Sequence, residues 1–327
     1  MWSLVGFVLV IGTLAWLEWR TPLFFFEDDN FAIFLPAMLE GCRNWQHGTL
    51  PMWTSRQFLG MPLAETGVFA LTYPGTLASY LVADKLFGKP TAMIDVFCVV
   101  HLTAGYFAML ALLRARRIAP PLAAAGAVCW SLSGFALIAG RSWYYMTPVF
   151  VYVPLVFWCC ERLLCDAPGC RPHHRLCFVF MGGAALGVFF HAGNAQMWLF
   201  TCQMLAVWLA ANWWCKRLRR EHLLPLMQLG LIAGVIAAPL LLPQLEVVRH
   251  ASRPGGPSEG ILDGLFQMFI PIQPIPARLA PYHGPSDWAA PSDGTLARFY
   301  FAGGVFHWAW LIGTALLAAR CVRRGTG

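Results

Sequence analysis

Three carboxylates in a row, Glu27, Asp28 and Asp29, follow directly behind Phe24, Phe25 and Phe26 in an otherwise apolar N-terminal stretch. A carboxylate beside an apolar wall holds its proton more tightly, and a neighbouring carboxylate tightens it further. That suits Asp28 or Asp29 to act as a general base, which must take a proton from an attacking hydroxyl. Hard divalent cations are the other ligand such oxygens favour, and the bland alternative is a solvated helix end at a membrane interface. A second set is cationic: Arg141, Arg249 and Arg253 lie near the ends of apolar runs. A guanidinium offers a planar donor fork that fits phosphate, in competition with simple snorkelling to lipid headgroups, the expected role of Arg20. A third set is neutral or weakly charged: His191, Asn194 and Gln196 in "HAGNAQ", and Gln57 and Glu65 in "QFLGMPLAETG". Such amides and imidazoles hold hydroxyl-rich ligands, and Trp143 or Trp198 could stack on a sugar face. Polar helix ends, and turn chemistry at Gly60 and Pro62, are the structural readings of the same strings.

The medium that positions these groups follows from composition. Of 327 residues, 58% are hydrophobic and 12% charged, against about 25% charged in an average soluble domain, and the mean hydropathy is +0.58. This is the composition of an integral membrane protein, and 15 tryptophans and 24 phenylalanines suit membrane interfaces. A formal charge of +7 says nothing of nucleic acid until the charges are placed, and no nucleic-acid partner is expected. Most of the 11 cysteines sit in or beside apolar runs, as small buried hydrophobes do. Cys165 and Cys170 flank "DAPG" without a zinc-like spacing. No phosphate-cradling loop, dinucleotide fingerprint, nucleophile elbow or HExxH helix occurs, so ATP-driven and hydrolytic chemistries lose ground.

Apolar stretches long enough to span a bilayer fall near 2–19, 92–113, 119–140, 144–163, 176–193, 197–215, 223–243 and 299–319. The fold expected is an all-α polytopic membrane protein of about eight spanning helices, a single transmembrane domain over 1–327. The first run, with no basic leader or cleavage site, reads as a retained helix. "RARR" at 114–117, Arg162 with Arg171 and Arg175, "KRLRR" at 216–220, and Arg320 with Arg323 and Arg324 follow every second span. The positive-inside rule makes those loops cytoplasmic, with the N-terminus. Only Glu161, Asp166 and Glu221 of the 16 acidic residues share that side. The opposite, external face then carries the two long connections, 20–91 and 244–298. In the first, "FAIFLPAMLEGCRNW" has the three-and-four spacing of an amphipathic interfacial helix, and "LPMWTSRQFLGMPL" that of a structured loop.

Several separated strings coincide in order between about residues 25 and 255: "EDDN", "GTLPMWTSRQFLGMPL" with "TYPG", "HAGNAQ", and "LLPQLEVVRHASR". Together they resemble the YfhO-like family of bacterial membrane glycosyltransferases, of the GT-C superfamily. The resemblance implies an enzyme of the plasma membrane that takes a sugar from a polyprenyl-phosphate donor outside the cytoplasm. The acceptor would be a cell-surface glycan or a teichoic-acid-like polymer. It gives the catalytic role to Asp28 or Asp29 by matching position, and a divalent metal is an open expectation. Members are usually longer, so the chain is expected to be a fragment or a reduced version, truncated at its C-terminus. Two rivals stand beside it: a polytopic transporter or lipid-carrier flippase without chemistry of its own, and a non-catalytic assembly protein. Transporters place ionisable groups within their spans near the midplane, whereas mid-span positions here are almost free of charge, Asp95 and His101 in the outer half of the second span being the exceptions.

Overall fold

Proline and glycine decide where the helices of this chain bend and touch. The computed structural model describes residues 1–57, 59–164 and 172–250, with side chains from 175 to 246 in the last stretch. In chain order they form α1 (Trp2–Arg20), a π turn (Asn30–Phe34) running into α2 (Leu35–Gln46), a short hairpin of β1 (Trp53–Thr54) and β2 (Met61–Pro62), α3 (Pro74–Lys85), α4 (Met93–Ala115), α5 (Pro120–Ser131), α6 (Gly134–Ser142), α7 (Val149–Leu163), α8 (Pro172–His191), α9 (Ala195–Trp214) and α10 (Arg220–His250). The hairpin is antiparallel, with Trp53 opposite Pro62 and Thr54 opposite Met61.

Seven of the eight segments expected to span are helical; the eighth, 299–319, lies outside the described residues, as does the 244–298 connection beyond His250. Among the described residues, five helical stretches are long and apolar enough to cross a membrane: Trp2–Arg20, Pro90–Ala115, Pro120–Ser142, Tyr144–Leu163 and Arg220–Glu246. Arg175–His191 is apolar but shorter. α9 has the length, yet Gln196, Gln203 and Asn212 interrupt its apolar run. The chain is therefore a helical membrane protein, and its exposed Leu4, Val8, Leu231 and Val235 are the apolar surface a bilayer covers. The string expected to form an interfacial helix is helical, as the π turn Asn30–Phe34 and α2. α3 was not foreseen, because "YPGTLASYLVADK" opens with turn residues; Pro74 sits at the first helical position, where its missing N–H costs nothing.

A proline inside a helix leaves the carbonyl four residues earlier without its N–H, and in a membrane such a group must find another donor. Pro154 releases the Phe150 carbonyl, which accepts from Trp130 Nε1 at 2.8 Å. Pro225 releases the Glu221 carbonyl, which accepts from Arg175 at 3.0 Å. Pro36 cannot serve Ala32, and the ladder there widens to a π turn in which Leu35 N–H reaches back to Asn30 O. Small residues let backbones close in. A Cβ on Gly105 of α4 would stand 2.9 Å from the Phe150 carbonyl oxygen of α7, and one on Gly187 of α8 would stand 2.9 Å from the Ala233 carbonyl oxygen of α10. Gly105→Ala would push apart the pair of helices at the centre of the bundle.

The basic loops meet at one end. Glu161, 6% exposed at the close of α7, takes Arg217 at 2.6 Å from the α9–α10 loop and Arg116 at 3.5 Å from the end of α4. Two cations on one buried carboxylate answer the cost of burying it.

At the other end α1 and α4 hold the triple-phenylalanine turn through two acids. Glu18 Oε2 accepts from Phe24 N–H at 3.3 Å and Asp95 Oδ1 from Phe25 N–H at 2.8 Å. The two carboxyls are in hydrogen-bonding reach of each other, and their remaining oxygens, Glu18 Oε1 and Asp95 Oδ2, are buried with no other partner. Asp95→Asn keeps an acceptor for Phe25 and offers an N–H to Glu18, so thermal unfolding of the purified protein should change little. Asp95→Ala strands the Phe25 N–H and should cost about 1–3 kcal/mol.

With the basic end cytoplasmic, His47→Cys on the exposed acidic side should react with a membrane-impermeant thiol reagent in intact cells, whereas Arg220→Cys should react only after permeabilisation. Burial pushes the native Cys42 thiol up to about 12, so it stays silent. Labelling of Arg220→Cys with silence at His47→Cys inverts the topology.

Candidate functional site

The acidic loop is seated by one residue. Asn30 is fully buried, and its side-chain NH2 donates to the carbonyls of Phe25 and Gly140 at 2.7 Å and Arg141 at 2.8 Å, while its oxygen accepts from Tyr144 N–H at 3.0 Å. Gly140 and Arg141 lie in the last turn of α6, whose carbonyls have no partner within the helix. Asn30 caps α6, closes the Phe25 turn and fixes the start of the 144–146 turn at once.

Around that anchor the three acids diverge. Glu27 is exposed and pairs with Arg141 at 2.5 Å. Arg141 also donates from Nε to Phe24 O at 3.1 Å and lies 4.7 Å over the Phe24 ring. Asp28 is exposed, holds a left-handed φ of 51°, and among the described residues makes no hydrogen bond or ion pair. Asp is one of the few side chains that tolerate that conformation. Asp29 is half-buried beside Tyr145, and its Oδ2 accepts from Trp143 Nε1 at 2.9 Å. Among the described residues its Oδ1 has no donor, so the carboxylate is oriented through one oxygen.

The neutral candidates fall into two groups. His191 is 9% exposed and uses both nitrogens: Nε2 donates to Ile236 O at 2.7 Å, in the turn before Pro239, and Nδ1 accepts from the Thr72 hydroxyl at 2.8 Å. Asn194 caps α9 by accepting from Met197 N–H at 2.8 Å. Trp198 donates to Leu186 O. These hold the fold; Gln196, next to them, is exposed. Glu65 is half-buried in the loop after β2, with no ion pair among the described residues. Gln57 donates from Nε2 to Ile33 O at 3.0 Å and lines an open groove with Pro36, Leu39, Glu40, Arg43 and Arg56. Arg249 lies in the last turn of α10, its side chain outside the described residues, and Arg253 lies outside them altogether.

The "TYPG" string is held by histidines on two helices. Thr72 meets His191 of α8, and Tyr73 meets His101 of α4. His101 Nδ1 donates to Phe97 O at 2.6 Å, so its neutral ring accepts at Nε2 from the Tyr73 hydroxyl at 2.7 Å, and Tyr152 donates to Tyr73 at 2.9 Å. Burial pushes the Tyr73 hydroxyl far above its ordinary value, which keeps it a donor. The mid-bundle histidine is thus committed to structure.

Sequence reasoning missed Asn30, which stands inside the quoted "EDDN", and it missed Arg43 and Arg56, which lie between spans rather than at their ends. The signal for Arg43 was present: three residues after Glu40, it shares that residue's polar face of α2. Among the described residues no group of three or more His, Cys, Asp or Glu converges to hold a metal ion. Compared with known proteins, the chain matches no family model, no curated protein and no solved structure.

Asn30→Ala leaves several buried backbone groups without partners, each worth about 1–3 kcal/mol. The variant should unfold well below wild type in a detergent melt. Asn30→Asp should be no better, because a carboxylate would face three carbonyl oxygens. A melt of Asn30→Asp at the wild-type temperature would show that the anchor is dispensable.

Proposed function

We propose that this protein is a membrane glycosyltransferase that moves a sugar from a polyprenyl-phosphate donor to a cell-surface glycan or polymer on the external leaflet. The observation that carries the reading is the setting of Asp29. It is a carboxylate fixed through one oxygen by Trp143 Nε1 at 2.9 Å, with the other oxygen open at the acidic end of a membrane bundle. A general base needs that combination of orientation and access. The resemblance of "EDDN" and the strings after it to the YfhO-like family supports the same assignment. In the proposed step the acceptor hydroxyl gives its proton to Asp29 Oδ1. The acceptor oxygen attacks the anomeric carbon as the bond from that carbon to the phosphate oxygen breaks, and the lipid phosphate leaves with the electron pair. Attack from the face opposite the leaving group inverts the sugar. Arg141 is already matched by Glu27, so cationic help for the phosphate falls to other arginines, with Arg249 and Arg253 the candidates from the sequence.

The test is transfer from a radiolabelled polyprenyl-phosphate sugar by purified, normally melting variants. Asp29→Asn should lower turnover by roughly 10²-fold or more while leaving donor binding near wild type. Asp28→Asn should have a smaller effect, and Trp143→Phe, which removes the orienting hydrogen bond, should fall between the two. Full turnover in Asp29→Asn would return the acids to a role as interface markers and leave a carrier without chemistry as the better reading.

A further inference from the structure

We propose that Glu18 and Asp95 form a proton-binding site, in which one proton shared between the two carboxyls clasps the last turn of α1 to the first turn of α4. The site is separate from Asp29, and its chemistry does not depend on the transfer reaction.

Two adjacent backbone amides bring the carboxyls together. Phe24 N–H donates to Glu18 Oε2 at 3.3 Å and Phe25 N–H to Asp95 Oδ1 at 2.8 Å. Neighbouring Cα atoms are only about 3.8 Å apart, so acids from two helices are seated side by side, within hydrogen-bonding reach. Each keeps one further oxygen, Glu18 Oε1 and Asp95 Oδ2, and both are sealed from solvent without a donor. Asp95 as a whole is 6% exposed. Two buried acceptors on adjoining carboxyls need something that one gives and the other receives. A single proton does that, whereas two bare carboxylates would repel each other with no water to screen them.

Other charges do not take the proton's place. Among the described residues neither acid is in an ion pair, and Arg20, two positions from Glu18, is exposed on a different face of α1. Arg141 of α6 reaches the same turn but gives its donors to Phe24 O and Glu27. Cys98, one turn along α4, is directed to Gly140 O. On the elements packed against α4, Lys85 of α3 pairs with Asp84, Tyr152 of α7 bonds Tyr73, and Glu161 of α7 is held by Arg116 and Arg217. α5, packed on α1, offers only the exposed Cys129. A metal ion fits poorly, because the turn presents N–H donors to the pair and not the further oxygens that a hard cation gathers.

Phe25 links this clasp to the acidic loop. Its N–H goes to Asp95 and its carbonyl to Asn30, so losing the proton loosens the residue on which Asn30 seats the loop.

The experiment records infrared spectra of the full chain in phosphatidylcholine nanodiscs at neutral pH, where ordinary carboxyls, with pKa values of about 4, are ionised. Wild type should show the C=O stretch of a protonated carboxyl. Asp95→Asn and Glu18→Gln should each abolish it, because either amide supplies an N–H in place of the proton and leaves a lone carboxylate. Added sodium should not displace it. The second readout is stability, since a folded chain that keeps a proton the unfolded chain releases becomes less stable as pH rises. From about pH 5 upward, the unfolding equilibrium constant of wild type in mixed micelles should climb relative to that of Asp95→Asn by up to tenfold per pH unit, until the pair lets its proton go. No such band in wild type, a band that survives either substitution or disappears with sodium, or equal pH dependence of the two proteins overturns the proposal. All of this is measured without donor or acceptor, so the proton site and the turnover of Asp29→Asn fail separately.

Discussion

A side-chain amide has two N–H donors and one carbonyl oxygen, and at Asn30 all of them bind backbone that no helix or strand provides for. Its NH2 reaches Phe25, Gly140 and Arg141, and its oxygen holds Tyr144. Three pieces of chain distant in sequence therefore depend on one residue: the turn after α1, the last turn of α6 and the entry to α7. In water each of these backbone groups could fall back on solvent. Beside a bilayer it cannot, and an unmet group costs several kcal/mol. The positions of Asp29 against Trp143 and of Arg141 against Glu27 follow from that weld, because all four flank groups that Asn30 binds.

The same constraint runs through the bundle. Two carbonyls that proline releases are met from another helix, Phe150 by Trp130 of α5 and Glu221 by Arg175 of α8, and a further α10 carbonyl, Ile236 O, is met by His191 of α8. Prolines that would break isolated helices here create acceptors which stitch neighbours together, and glycines at 105 and 187 bring the partner backbones close. Tryptophan, arginine and histidine in this chain are therefore read first as donors to backbone and only then as ligands to substrate.

That distinction explains what the sequence could reveal. Spans are visible because apolar length is a local property; α1, α4, α7 and α10 fall within a few residues of where hydropathy puts them. Orientation of the loops relative to one another is also visible, since Arg116 and Arg217, far apart in sequence, converge on Glu161. What hid was pairing. His191 and Arg141 carry the chemistry of ligands, and nothing local reveals that Ile236 O and Glu27 already satisfy them. Arg43 and Arg56 escaped notice for the opposite reason, as ordinary polar residues of an interfacial loop whose lack of partners appears only when the groove is built. The π turn at Asn30–Phe34 was equally silent, although Pro36 held the clue that the ladder before it must widen.

Adjacent residues of one charge type need not share a task, and the acid row shows how a backbone separates them. Asp28 in the left-handed region, φ 51°, breaks the run between the phenylalanine turn, closed by Phe26 N–H to Leu23 O, and the helical turn that follows. Side chains on its two sides then leave in different directions. Glu27 points to a cation and neutralises it; Asp29 points to an indole N–H, which orients a carboxylate without adding charge. An arginine in the place of Trp143 would hold Asp29 as firmly but would favour its charged form and so weaken it as a proton acceptor. A neutral donor fixes the geometry without adding a formal charge beside the carboxylate. The pairing of cation with Glu27 and indole with Asp29, rather than the reverse, is what recommends Asp29 as the base in the proposed reaction.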